Sequence, residues 1–176
     1  MKPISAAAFL LALASAASLA GAASKPHEHG VVKLDVAVEG ENLSVAMEAP
    51  LDIVLGFERA PRTDSERRAA ADVLSRLREG AALFSPDAAA QCRRVRSDVR
   101  AGVLEAGARH PANTEHADLD ATYEYRCAQP GSLRTLDVGL FDAFKRIQRV
   151  DVQVAGPGGQ AKATLQRPAR VINIRR

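Results

Sequence analysis

Val32-Lys33-Leu34-Asp35-Val36-Ala37-Val38-Glu39-Gly40-Glu41-Asn42-Leu43-Ser44-Val45-Ala46-Met47-Glu48-Ala49 decides the fold. Val32, Leu34, Val36 and Val38 alternate with Lys33, Asp35 and Glu39, the period of a strand with one buried face. Gly40-Glu41-Asn42 supplies a turn. Leu43, Val45, Met47 and Ala49 then resume the alternation, so the pair reads as a hairpin. Pro50 stops it.

Downstream, Thr63 to Arg78 reads as the main helix. Thr63 and Glu66 form a capping box. Ala70, Val73, Leu74 and Leu77 share one face, and Gly80 is placed to end the helix. Ala81 to Gln91 is alanine-rich and interrupted by Pro86, suiting a short helix or a packed loop. Val95–Leu104 favours a strand. Leu119, Ala121, Tyr123, Tyr125 and Cys127 alternate with polar residues in a stronger one. Leu136–Leu140 and Val150–Val154 mark two more. Phe141–Ile147 suits a turn or one helical turn. Gly156-Pro157-Gly158-Gly159 turns the chain into Ala161, Ala163 and Leu165, and the last residues suit an edge strand or a loose tail. Short connections between strands imply antiparallel pairing. The class is α+β: a mainly antiparallel sheet with one main helix and short helical segments packed on it. Trp is absent and aromatics are 4% of the chain, so Val, Leu, Ile and Ala must build the core.

Upstream of the hairpin, Lys2 precedes an uncharged stretch from Ala6 to Leu19, closed by Ala20-Gly21-Ala22-Ala23. That is the layout of a cleavable export signal. It predicts a signal peptide over 1–23, cleavage near Ala22/Ala23, and one periplasmic α+β domain over 24–176, with two strand-rich halves sharing a core as the alternative division. No later segment is apolar enough to span a membrane. The formal charge of +3 comes from arginines interspersed with acids, unlike the clustered basic face of a nucleic-acid binder. Cys92 and Cys127 are an isolated even pair, which in an oxidising compartment reads as a disulfide.

GxSxG, P-loop, GxGxxG and HExxH patterns are all missing, so an enzyme is not expected. The histidines are more informative. His27-Glu28-His29 opens the mature chain, and residues two apart in an extended backbone share a side. His110 and His116 lie near the middle, beside Glu115, Asp118 and Asp120. On a strand, His116, Asp118 and Asp120 would share the polar face. Imidazole with carboxylate suits zinc. The geometric expectation is that His27 and His29 meet His116 and Asp118 on the sheet's solvent face, with Asp120 and His110 as further donors. It assumes that the two segments are neighbours in one sheet.

His27-Glu28-His29-Gly30-Val31, Gly56-Phe57-Glu58-Arg59-Ala60-Pro61, His116-Ala117-Asp118-Leu119-Asp120, Cys127-Ala128-Gln129-Pro130 and Val150-Asp151-Val152-Gln153 together resemble the ZrgA-like family of bacterial periplasmic proteins. The resemblance runs through essentially all of the mature chain. It implies zinc binding, in a protein produced alongside zinc-uptake systems. Members open with His-x-His-Gly, and many carry a long His- and Asp-rich insertion before His-Ala-Asp. Here the insertion is reduced to residues 109–115 with the single His110, and Arg59 stands where relatives often have His. The implied function is a periplasmic zinc-binding accessory protein, a buffer or delivery partner for zinc import. The alternative is an envelope structural or interaction module without functional metal binding, favoured by the shortened histidine segment.

Overall fold

The computed structural model describes residues 28–104 and 117–174. Strands β1 (Val31–Glu39) and β2 (Asn42–Pro50) form the expected hairpin, in register from Lys33↔Glu48 to Glu39↔Asn42. Gly40 takes φ +56 in the two-residue turn, a conformation that costs glycine little. Leu51–Leu55 then makes a short helix, α1, that sequence pattern does not predict. Five residues cannot display a helical period. The main helix, α2, spans Asp64–Glu79, with both halves of the Thr63/Glu66 capping box formed and Gly80 at φ +55 closing it.

The alanine-rich segment that follows forms β3 (Phe84–Pro86) and a 3₁₀ turn over Ala88–Ala90. Strand β4 is Cys92–Arg100, earlier than Val95–Leu104, because the chain leaves the sheet at Ala101 and turns through Gly102–Leu104. Then come β5 (Asp118–Cys127), β6 (Thr135–Val138), the single helical turn α3 (Leu140–Ala143), β7 (Arg149–Gly156), β8 (Gly159–Leu165) and β9 (Val171–Asn173).

Six strands share one sheet in the order β4-β5-β2-β1-β7-β8, and β3-β6-β9 form a smaller one. Every pair is antiparallel except β1–β7. The fold is therefore α+β on a largely antiparallel sheet. One face of the large sheet (Val32, Leu34, Val45, Leu119, Val150) joins Leu77, Phe84 and Leu136 in a single apolar core. The other carries Lys33, Asp35, Glu48, Asp120 and Asp151. Tyr123 and Tyr125 are buried, and their hydroxyls donate to the carbonyls of Leu77 (2.9 Å) and Phe84 (3.2 Å). A buried hydroxyl so satisfied costs little. These two bonds tie the sheet to the end of α2 and to β3. Cys92 and Cys127 face each other across β4–β5 and form the expected disulfide. Among the described residues, no helix is long and apolar enough to cross a membrane.

Candidate metal centre

His29 is not on an extended approach to β1, as period-two reasoning assumes. The Val31 amide donates to the Glu28 carbonyl (3.1 Å), and Gly30 lies at φ +82. Those are the marks of a type II turn, whose third position needs a positive φ and favours glycine. The turn breaks the side-to-side alternation before it reaches His29. It is fastened to β7: the Gly30 carbonyl accepts from the amides of Gln148 (2.8 Å) and Arg149 (3.1 Å), and Arg149 bonds both oxygens of Glu28. A Cβ on Gly30 would stand 2.9 Å from the Gln148 side chain, so glycine also permits this close approach.

Turned in this way, His29 places Nδ1 3.0 Å from Oδ2 of Asp52, in the first turn of α1. Glu58, three residues beyond the end of α1, completes a group of three. One donor atom from each of His29, Asp52 and Glu58 lies within 4.8 Å of the others. The His29 side chain is 71% exposed and that of Asp52 32%. Oδ1 of Asp52 is nevertheless buried and accepts no hydrogen bond from the described residues. A buried carboxylate oxygen without a donor is costly, and a cation would relieve it.

The donor set fits zinc in type and in spacing. Zinc takes His nitrogen and carboxylate oxygen at about 2.0–2.2 Å, which puts neighbouring donors of a tetrahedral shell roughly 3.3–3.5 Å apart. Nδ1 of His29 and Oδ2 of Asp52 need open only slightly from 3.0 Å. Three protein donors leave a fourth position for water or another side chain.

Of the predicted donors, the structure describes His29, Asp118 and Asp120. His29 enters the group. His27, His110 and His116 lie outside the described residues. Asp118 opens β5 opposite Pro50, and Asp120 follows opposite Glu48 on the solvent face. The segments that begin β1 and β5 share the sheet but are not neighbours, because β2 lies between them. They are linked through α1: the Leu51 amide, next to Asp52, donates to the Ala117 carbonyl (2.9 Å). Sequence reasoning missed Asp52 and Glu58. Asp52 lies two residues beyond Pro50, where the strand pattern has ended. Glu58 sits inside the Gly-Phe-Glu-Arg-Ala-Pro motif, beside Arg59.

Arg59 itself turns to α2. Its guanidinium donates to both oxygens of Glu66 (2.9 and 2.7 Å) and lies 5.1 Å from the centre of the Phe57 ring. The Arg59 bonds first, and then the Arg62 amide, hold the Glu66 carboxyl down at about 2. A depressed carboxylate contributes stability above its ordinary range of about 4.3, lost as pH falls through the folded value. This pair is therefore expected to survive to pH 3. An NMR titration should show Glu66 ionising near pH 2, and a midpoint near 4.3 would refute the bidentate contact.

The model of a family described as ZrgA family zinc uptake protein matches residues 26–174. No curated protein matches the chain.

Proposed function

The chain belongs to the ZrgA family of zinc uptake proteins, and on that premise we propose that it is a periplasmic zinc-binding accessory protein that buffers zinc or hands it to an import system. The observation that carries this reading is the convergence of His29, Asp52 and Glu58. Its chemistry is reversible coordination, not catalysis. Closed structural zinc sites surround the ion with four protein ligands. A site with an exposed imidazole and two carboxylates keeps an open side through which zinc enters and leaves. His27 adjoins Glu28, and His116 adjoins Ala117, which is bonded to Leu51. With Asp118 they are the further donors of this reading. His110 and Asp120 are outer ones.

The test is zinc titration of the protein from Ser24 onward, in competition with a chromophoric chelator. One zinc per chain is expected. His29→Ala should weaken it by more than the roughly 10–100-fold that loss of an outer-shell partner costs. Zinc needs neutral imidazole and ionised carboxylates, so affinity should fall as the solution is made acid. A protein that binds no zinc, or a His29→Ala variant that binds as wild type does, would leave the interaction-module reading in its place.

A further inference from the structure

The three donors reach the centre by different routes. His29 is held by the turn pinned to β7, and Asp52 by a helix that continues directly from β2. Glu58 lies in residues 56–63, between α1 and α2, which form no helix or strand. A ligand on such a segment is only as well placed as whatever fixes the segment. One such anchor is the Glu66 carboxylate. It accepts both Arg59 contacts, the Arg62 amide (2.6 Å) and the Thr63 amide (3.4 Å). The Arg59 guanidinium also donates to the Ala60 carbonyl (3.2 Å), drawing the chain on the C-terminal side of Glu58 together. On its N-terminal side, Phe57 packs under the same guanidinium.

We propose that Arg59 and Glu66 form a positioning clamp that sets Glu58 against His29 and Asp52, so that an ion pair outside the donor set governs zinc affinity. This inference rests on the zinc site proposed above. Two simpler roles make different predictions. If Arg59 were only a cation near a cation site, removing it would strengthen zinc binding. If the pair only stabilised α2, any equal loss of stability there would have the same effect.

The experiment measures zinc affinity and thermal midpoint for Arg59→Ala, Arg59→Lys, Glu66→Gln, Thr63→Ala and Glu58→Ala in the mature protein. The clamp predicts about 10–100-fold weaker zinc binding for Arg59→Ala, the usual cost of losing an outer-shell partner. Arg59→Lys should fall between, since a lysine keeps the charge but not the two-pronged contact. Glu66→Gln should resemble Arg59→Ala. Thr63→Ala removes the cap alone. It should lower the midpoint by about 2–4 °C with zinc affinity unchanged. If Arg59→Ala does not fold, Arg59→Lys and Glu66→Gln carry the same comparison. Unchanged or tighter binding in the clamp variants, while Glu58→Ala weakens it, overturns the clamp and leaves the site standing. Equal weakening in Thr63→Ala also overturns the clamp. No effect of Glu58→Ala overturns the three-donor site and the clamp with it.

Discussion

Removing the Cys92–Cys127 bond is expected to lower the free energy of unfolding by about 4 kcal/mol. The two residues are 35 apart in sequence, and the chain-entropy model gives about that value for a loop of this length. Cys92 and Cys127 are directly opposed in the β4–β5 ladder, so the bond links two strands that already pair. Among the described residues, β4 is an outer strand paired only with β5, its register shifts between Arg94 and Arg96, and Val95 within that shift is 50% exposed. A bulged edge strand has fewer ladder bonds to hold it. The cleaner variant is the double alanine, since serine at the buried Cys127 would bury a hydroxyl. Guanidinium unfolding of wild-type and variant protein measures the difference, with reduced wild type as a second comparison. A loss below about 1 kcal/mol would mean that the unfolded state gains almost nothing from release of the loop. Such a bond persists in an oxidising compartment, which fits the export signal read at the N-terminus.

The parts of the fold that were legible in sequence are those encoded within one segment. The alternation of Val32–Val38 and Leu43–Ala49 fixes both strands and the face that each buries. Thr63 and Glu66 announce α2, and the structure forms both of their reciprocal bonds. What was not legible depends on segments distant in sequence. The parallel pairing of β1 with β7 joins residues 118 apart, such as Val32 and Val150, and no local pattern reports it. The zinc donors show the same division. His29 stands out as one of only four histidines. Asp52, 23 residues away, is an ordinary acid until α1 carries it to that imidazole. A single dihedral decides the remainder. Gly30 at φ +82 turns His29 out of the alternation that extended geometry would impose. The glycine of the His-x-His-Gly element is therefore part of the site's construction.

Gly139→Ala is expected to destabilise the protein by about 3–5 kcal/mol, although its backbone alone argues for the opposite sign. Gly139 has φ −80 and ψ 6, which alanine adopts readily. With no other factor, the substitution would stabilise by about 0.4–1 kcal/mol by restricting the unfolded chain. The surroundings reverse this. A Cβ there would run into the Ala82 carbonyl oxygen, which belongs to backbone and not to a yielding side chain. The Gly139 amide donates to the neighbouring Leu83 carbonyl (2.9 Å), so separating the two strands of chain also breaks a backbone bond. Leu83, Phe84 and Leu140 around this contact are 2% exposed or less, so moving the chain here disturbs the core. Overpacking of this kind costs about 1–3 kcal/mol or more, and a buried backbone group left unpaired about 1–3 kcal/mol further. Together these exceed the entropic gain several-fold. Gly131 supplies the control, since it has no positive φ and a Cβ there meets nothing within 4 Å. Gly131→Ala should change stability by less than about 1 kcal/mol, in either direction. Denaturant unfolding of the two variants side by side decides the matter. Equal stabilities would show that the chain around Ala82 can move away from Gly139 at no cost.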